Sequence, residues 1–136
     1  MEGAIQTNLR QSGVLAVHEG KVMLVTSRKS SRWVIPKGMI GKGLTAAESA
    51  AKEAFEEAGV SGIVGEQMIG SYECRKMGVP CRVDVYPLVI DCLHDEWDEM
   101  HQRRRELVAP ETALGMVGHK ELRALIGSHF RVGIVI

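Results

Sequence analysis

One stretch, from Gly38 to Val60, constrains the fold of this chain more than any other. Thr45 followed three residues later by Glu48 has the form of a capping box, in which the two residues satisfy each other's backbone N–H at the start of a helix. Residues 46–58 are rich in good helix formers, and Gly59 supplies the left-handed residue that commonly ends a helix. The sequence therefore predicts a helix over residues 46–58.

The predicted helix has an apolar face and an acidic face. At 3.6 residues per turn, the apolar face carries Ala47, Ala51, Ala54, Phe55 and Ala58. Glu53, Glu56 and Glu57 lie at spacings of three and four on the other side, where like charges repel one another. A cation between them relieves that repulsion, and oxygen-only ligands suit Mg²⁺ or Mn²⁺ rather than zinc. The alternative is a solvated acidic stripe, which exposed helices often carry.

The segment before the helix favours the metal interpretation. Pro36-Lys37-Gly38 and Gly41-Lys42-Gly43 place three glycines and two lysines just ahead of the acidic helix. A Gly-rich loop with basic side chains can hold a pyrophosphate through its backbone amides. It is not a Walker loop, because Gly43 stands where such a loop needs Ser or Thr.

The spacing of these residues resembles the Nudix box. In that family the box runs Gly, five residues, Glu, seven residues, Arg-Glu-apolar-any-Glu-Glu-any-Gly-apolar, and Gly38 and residues 52–60 follow this pattern. Two positions depart from it: Leu44 replaces the first Glu, and Lys52 replaces the Arg. The resemblance implies an α/β/α sandwich with a mixed β-sheet and Mg²⁺-dependent hydrolysis of a phosphoanhydride. It also implies metal-binding and catalytic roles for Glu53, Glu56 and Glu57.

A general base is also implied by the resemblance. In the family the base is sometimes a Glu of the box and sometimes a Glu from a distal loop. Glu96 and Glu99 lie in the charged segment 94–105, which could also be a plain surface loop. We leave the base open between Glu53 and Glu99.

Outside the box, short segments are similar to the diphosphoinositol polyphosphate phosphohydrolases. These are residues 22–28, 32–36 and 103–106, together with the pair His119-Lys120. Enzymes of that subgroup cleave phosphoanhydrides in diphosphoinositol polyphosphates and in diadenosine polyphosphates. The resemblance implies substrate contacts from Arg28, Lys37, Gly38, Arg75, Arg105 and Lys120. For Lys76 we prefer an exposed hairpin tip.

The remaining pattern predicts strands before and after the acidic helix. Residues 13–18 and 21–26 are apolar runs joined by Glu19-Gly20, which predicts a hairpin. Further strands are expected at 33–35, 63–72, 82–90 and 106–108, with helices from Pro110 and over 119–130. Strands interrupted by a helix and followed by helices predict a mixed sheet with helices on both faces.

Composition bounds the class of protein. A chain of 136 residues, 45% hydrophobic and 25% charged, predicts one domain over residues 1–136 with a loose N-terminus at 1–10. No apolar run approaches membrane-spanning length, and three cysteines without a CxxC pair favour neither a disulfide framework nor a zinc site. We therefore expect a cytoplasmic protein. Its oligomeric state stays open, with a homodimer as one option.

Several functions are alternatives to the hydrolysis of small-molecule polyphosphates. The rival substrates are an RNA 5′ end and an oxidised nucleoside triphosphate, although a net charge of zero and 4% aromatic residues argue against extensive nucleic-acid contact. The rival from another class is a non-catalytic nucleotide-binding or regulatory module. Leu44 and Lys52 motivate that reading, and the intact Glu53, Glu56 and Glu57 weigh against it.

Overall fold

The computed structural model describes residues 9–133, which form eight strands and three helices. In chain order these are β1 (Leu9–His18), β2 (Lys21–Thr26), β3 (Trp33–Val34), β4 (Lys37–Met39), α1 (Ala46–Ala58), β5 (Val60–Val64), β6 (Gly70–Lys76), β7 (Val79–Leu93), β8 (Arg105–Val108), α2 (Pro110–Met116) and α3 (Lys120–Phe130). Leu9 and Arg10 belong to β1, so the predicted loose segment 1–10 is wrong for them, and its first eight residues lie outside the described range. None of the described helices is long and apolar enough to cross a membrane.

The strands form a mixed sheet, as predicted. Its main order is β3-β2-β1-β7-β5, with β8 paired to β2, β4 to β1, and β6 to β7. The central pair β1 and β7 is parallel and runs in register from Leu9 opposite Cys81 to Val17 opposite Val89. The other pairings are antiparallel. The predicted hairpin is confirmed, since His18 pairs with Lys21 across Glu19-Gly20.

Helices cover both faces of the sheet. On one face α1 packs through Ala50, Ala54 and Ala58 onto alternate residues of β1, β2 and β7. On the other face α2 and α3 contribute a second cluster, which contains Ala113, Leu122 and Ile126. Each fully buried aliphatic side chain in these clusters stabilises the fold by about 1.5–3 kcal/mol. The two clusters hold the sheet rigidly between the helices, which fixes the carboxyl end of α1 against the strands.

Helix α1 has the predicted bounds and the predicted capping box. Thr45 Oγ1 accepts from the Glu48 N–H at 3.0 Å, and Glu48 Oε1 accepts from the Thr45 N–H at 2.8 Å. Gly59 ends the helix at φ 66°. The predicted apolar face is wrong at Phe55, whose side chain is 45% exposed and meets the His94 ring edge-on. Glu57 is buried instead, which turns an acidic residue inward.

The single strand expected over residues 63–72 is two strands. β7 is 15 residues long, so one of its edges accommodates both β5 and β6 in succession. Between them the chain stays attached to β7, because the Gly65 N–H donates to the Pro87 carbonyl and the Ile69 N–H donates to the Val85 carbonyl. Apolar periodicity alone could not reveal this interruption.

The segment expected to be a Gly-rich loop is partly a strand. β4 pairs antiparallel with β1, with Lys37 opposite Gly13 and Gly38 opposite Ser12. The backbone at Gly38 is therefore part of the sheet and is not a free loop. This pairing holds Gly38 directly beneath α1, where its lack of a side chain matters for the site.

Candidate active site

Glu53 and Glu57 lie one turn apart on α1, at the end of the helix that faces β4. Gly38 allows this close approach, because a Cβ atom there would overlap the Glu53 carboxyl group and stand 2.5 Å from both its oxygens. A glycine opposite a carboxylate is typical of a place where backbone and functional group must come together. The predicted role of Gly38 as a substrate contact is untested, but its steric role toward Glu53 is plain.

Replacing Gly38 with alanine should displace Glu53 and lower any activity of this site by about 10²-fold, the usual effect of moving a reacting group by about 1 Å. Gly115→Ala is the matched control, because a Cβ at Gly115 meets nothing within 4 Å. In the last turn of α2 that change should alter stability only slightly and leave activity unaltered. Steady-state rates and melting temperatures of both variants provide the measurement. An active Gly38→Ala protein would show that Glu53 does not need this position.

Glu57 is nearly buried, with 6% of its surface exposed, and both of its oxygens have donors. The Lys37 N–H donates to Oε1 at 3.2 Å, and Arg103 Nη2 lies 3.3 Å from Oε2. The carboxylate is thus fixed between β4 on one side and the segment before β8 on the other. Such a rigid acidic group is suited to holding a ligand in one geometry.

Arg103 organises this site, and sequence reasoning did not select it. Its side chain is 10% exposed; Nε donates to Glu99 Oε1 at 2.6 Å and Nη1 donates to the Thr26 carbonyl at 2.9 Å. The Glu99 N–H in turn donates to the Glu56 carbonyl at 3.1 Å, which docks its loop on α1. Glu99 is therefore placed beside Glu57 by Arg103, whereas Glu96 is exposed. The spacing of four between Glu99 and Arg103 was the available signal.

Burial governs the protonation of the two carboxyl groups. It raises the pKa of Glu57 to about 8, although Arg103 and the Lys37 N–H act in the opposite direction. Burial, followed by the charge of Glu56, also raises the pKa of Glu53. The nearby Glu57 side chain acts in the opposite direction and lowers the pKa of Glu53, because the two carboxyl groups lie close to each other.

This pKa predicts how the stability of the metal-free protein depends on pH. Because the folded-state pKa of Glu57 lies above its ordinary value of 4.5, the stabilisation is complete below pH 4.5 and is lost as pH rises through about 8. The stabilisation from protonated Glu57 is of the order of a few kcal/mol. Thermal unfolding in chelator between pH 5 and pH 9 should show a fall in melting temperature that is smaller in Glu57→Gln. Equal slopes in the two proteins would contradict the raised pKa.

The carboxylates fit a hard divalent cation held jointly with a substrate. Within residues 9–133, no group of three or more His, Cys, Asp or Glu side chains is arranged to hold a metal ion. Glu56, the third residue of the predicted triplet, instead pairs with Lys52 at 2.7 Å. Of the predicted triplet, Glu53 and Glu57 are therefore the two residues whose carboxyl groups lie close together at the site. Mg²⁺ typically takes one or two protein carboxylates, with waters and substrate phosphates completing its coordination.

A basic cleft of about 470 Å³ opens beside Glu57. Among the described residues that line it, one is acidic, Glu57, and seven are basic: Arg28, Lys29, Arg32, Lys37, Arg75, Lys76 and Arg103. The turn after β2 forms one part of the lining, and the hairpin between β6 and β7 forms another. This volume is that of a small-molecule site, and the concentration of positive charge selects an anion.

The structure places three predicted phosphate ligands in this cleft and two elsewhere. Arg28, Lys37 and Arg75 line it, and so does Lys76, which is exposed at the end of the hairpin as expected. Arg28 Nη1 donates to Gln102 Oε1 at 3.1 Å, and Arg75 Nη1 donates to the Gly78 carbonyl at 2.8 Å. Lys120 begins α3 with an exposed side chain and is not among the lining residues; its neighbour His119 is.

The structure places Arg105 outside the cleft lining, at the end of α1. Its Nη1 donates to the Ala58 carbonyl at 2.8 Å, at the end of α1, and its guanidinium lies 4.0 Å from the centre of the Trp97 ring. Trp97 Nε1 donates to the Glu57 carbonyl at 3.0 Å. A cation at the carboxyl end of a helix complements the helix dipole. Arg105 therefore anchors α1 and is not brought to the cleft.

Arg105→Ala is expected to lower the free energy of unfolding by about 1–3 kcal/mol, from the lost hydrogen bond and cation–π contact. The KM for a polyphosphate should stay unchanged, because the cleft keeps its cations. Chemical denaturation and steady-state kinetics measure the two effects separately. A raised KM with unaltered stability would restore Arg105 as a phosphate ligand.

The fold is thus a mixed sheet between helices, and the candidate site places paired carboxylates beside a basic cleft. The family model described as the NUDIX domain matches residues 7–113, and the chain belongs to the Nudix family. It is 29% identical over 129 residues to "Nudix hydrolase 12, mitochondrial" of Arabidopsis thaliana, a match covering 89% of this chain and 64% of that protein.

Two further comparisons agree with this assignment. The chain is 32% identical over 110 residues to diphosphoinositol polyphosphate phosphohydrolase 3-alpha of Homo sapiens, covering 78% of this chain and 66% of that protein. It thus spans just under two thirds of the length of these curated relatives. The fold is similar to that of a NUDIX hydrolase from Nitrosomonas europaea, with a TM-score of 0.76, 13% identity and coverage of 92% and 90% of the two chains.

Proposed function

We propose that this protein is a divalent-cation-dependent hydrolase of phosphoanhydride bonds in small polyphosphates. The observation that carries the proposal is the contact between Glu53 and Glu57 beside a cleft lined by seven basic side chains. Membership of the Nudix family supports the reaction class. Mg²⁺ is the proposed cation, with Mn²⁺ as the alternative, because the donors are carboxylate oxygens.

The chain's own residues divide the work between charge neutralisation and positioning. Glu53 and Glu57 would hold the cation, which neutralises phosphate charge and promotes ionisation of a water when bound. Arg28, Lys37 and Arg75 would hold the remaining phosphate oxygens, since charge-assisted hydrogen bonds are strong and directional. Arg103 keeps Glu57 and Glu99 in fixed positions. Preorganised charges of this kind supply much of the stabilisation of a transition state.

For the substrate we propose a nucleoside polyphosphate or a diphosphoinositol polyphosphate. The printed name of the human relative supports the second class. The cleft supports both, because cations from two separate segments line it and can contact several phosphate groups at once. The formal net charge of zero conceals this local excess. A cytoplasmic location and a homodimer stay predictions from the sequence.

Glu53 and Glu99 are the two proposed candidates for the general base. Glu99 accepts from Arg103 at 2.6 Å, and the Glu53 carboxyl group lies close to that of Glu57. The pH dependence of kcat/KM separates them. If Glu99 is the base, Glu99→Gln removes the acidic limb of the profile while Mg²⁺ affinity is retained; if Glu53 is the base, Glu99→Gln leaves that limb in place.

A non-catalytic polyphosphate-binding module is the second candidate. Leu44 is 39% exposed where the Nudix box has a Glu, and Lys52 pairs with Glu56 rather than with the buried carboxyl groups. The first departure removes a carboxylate, and the second replaces a guanidinium by an ammonium group, which cannot make a bidentate contact. Arg103 supplies a guanidinium to Glu57 from outside the box, which compensates for Lys52 and favours the enzyme.

The experiment is phosphate release from a panel of phosphoanhydrides: diadenosine polyphosphates, diphosphoinositol polyphosphates, nucleoside triphosphates, oxidised triphosphates, a triphosphorylated RNA end and nucleotide sugars. We expect one class to be preferred. Arg28→Ala and Arg75→Ala should each raise its KM about tenfold, the effect of losing one hydrogen bond to a charged group. Arg82→Ala is the matched control, because Arg82 pairs with Asp84 outside the cleft lining. A panel without turnover would reject the proposal.

A further inference from the structure

Two thiols face each other in the hairpin that forms one wall of the cleft. Cys74 on β6 is directly opposite Cys81 on β7, and the two side chains are close enough for Cys81 to raise the pKa of Cys74. Cys81 is 2% exposed, whereas Cys74 is half-buried and lines the cleft. Cys92 is exposed near the other end of β7 and takes no part in this pair.

A short chain of contacts connects these thiols to the cleft. Cys81 Sγ donates to Gln11 Oε1 at 3.2 Å, and Lys37 Nζ donates to the same oxygen at 3.4 Å. Gln11 is itself buried, with 2% of its surface exposed, so its amide has little freedom to reorient. The position of the Lys37 ammonium group therefore depends partly on the state of Cys81.

The separation of paired residues in a sheet suits a strained disulfide. Directly opposed residues in antiparallel strands hold their Cβ atoms about 4.5–5.5 Å apart, whereas a disulfide holds them about 3.5–4.5 Å apart. Bond formation at Cys74 and Cys81 therefore draws the two strands together by about 1 Å. Strained disulfides are more easily reduced, which is characteristic of regulatory rather than structural bonds.

We propose that Cys74 and Cys81 are a redox-modification site, at which a peroxide forms a reversible disulfide across the cleft wall. Cys74 meets the oxidant first, because it reaches the cleft. Its sulfur attacks one peroxide oxygen, giving a sulfenic acid and one water; Cys81 then attacks that sulfur, and the hydroxyl leaves as a second water. In the balance, two thiols lose two electrons and two protons, and one hydrogen peroxide becomes two waters.

The surroundings of Cys74 determine how fast its thiol is oxidised. Burial, and next the hydrogen bond to Cys81, raise the pKa of Cys74 to about 12, while the nearby Lys37 and Lys76 lower it. The thiolate is the reactive form, so oxidation is slow and requires sustained exposure. In the disulfide, Cys81 no longer donates to Gln11, and the strand carrying Arg75 and Lys76 moves.

The consequence for activity rests on the proposed function. The disulfide disturbs Lys37 and the hairpin wall, both of which face the polyphosphate, but not the contact between Glu53 and Glu57. We expect oxidation to raise KM by roughly tenfold, the effect of losing one charge-assisted hydrogen bond, with a smaller change in kcat.

The test uses the full chain with Cys92→Ser, which leaves the pair as the remaining thiols. The reduced protein is incubated with hydrogen peroxide, quenched with N-ethylmaleimide and analysed by mass spectrometry without reductant. Trypsin cleaves after Arg75, Lys76 and Arg82, so the two cysteines fall on separate peptides. We expect those peptides to be joined, no maleimide adduct, and full reversal by dithiothreitol. Cys74→Ser in the same background should leave Cys81 as a free thiol.

Two free thiols after oxidation, or a Cys74 sulfinic acid beside an unmodified Cys81, would overturn the proposed site. A disulfide that leaves KM unchanged would overturn its effect on activity. If the reduced protein turns over no phosphoanhydride, the proposed function fails while the peptide result still decides the thiol chemistry.

Discussion

Replacement of Glu57 by glutamine is expected to abolish turnover, with a loss of about 10³-fold or more, because one of the two carboxylates proposed to hold the cation is removed. The variant should fold normally. Glutamine keeps the shape of the side chain, and its carbonyl oxygen can still accept from the Lys37 N–H that now donates to Glu57 at 3.2 Å. Rates in Mg²⁺ and in Mn²⁺, with circular dichroism of the same preparation, provide the measurement.

Glu66→Gln is the matched control for this substitution. Glu66 is an exposed glutamate between β5 and β6, so the same change in charge is made away from the cleft. It should retain wild-type rates. Calorimetric titration with Mg²⁺ is a second, independent measurement, since Glu57→Gln should also weaken cation binding. A variant at Glu57 with wild-type rates would show that the metal assignment is wrong.

Arg103→Ala is the second large effect that we expect. It removes the guanidinium shared by Glu57 and Glu99 and leaves two acidic groups without their partner. Breaking one side of a buried ion pair typically costs about 3–5 kcal/mol. Protonation of Glu57 offsets part of this loss, so we expect about 3 kcal/mol of destabilisation at pH 7. Activity should fall with it, because the Glu99 loop is no longer tied to Thr26.

Arg103→Lys separates charge from geometry at this position. An ammonium group preserves one charge but cannot contact two carboxylates and a carbonyl in a plane. We expect it to recover much of the stability and little of the rate, with the loss mainly in kcat. Unfolding curves and steady-state kinetics of both variants measure this. Full activity in either variant would remove Arg103 from its proposed positioning role.

Local signals explain why α1 could be predicted to the residue. Its start is coded by Thr45 and Glu48, its end by Gly59, and the contacts that these residues make span at most a few positions in the chain. The mixed sheet followed from the order of strands and helices. The inward turn of Glu57 could not be predicted in the same way, because it depends on Lys37 and Arg103 arriving from distant segments.

The three consecutive arginines show where sequence reasoning fails. Arg103 enters the site, Arg104 stacks over Trp33, and Arg105 anchors the end of α1. β8 begins at Arg105 and pairs with β2, which decides the direction of each side chain. Pairing of that kind is a tertiary property. The basic cleft escaped prediction for the same reason, since its two walls meet only in the folded chain while the net charge is zero.

The most direct test of the central claim is a turnover experiment with the preferred polyphosphate in excess over the wild-type chain. The samples contain Mg²⁺, chelator, or chelator followed by excess Mg²⁺. We predict many equivalents of product per chain with Mg²⁺, none with chelator, and full recovery when Mg²⁺ returns. If the polyphosphate raises the melting temperature of the protein but is recovered intact from all three samples, the protein is a binding module and the account of Glu53 and Glu57 as a catalytic metal site is wrong.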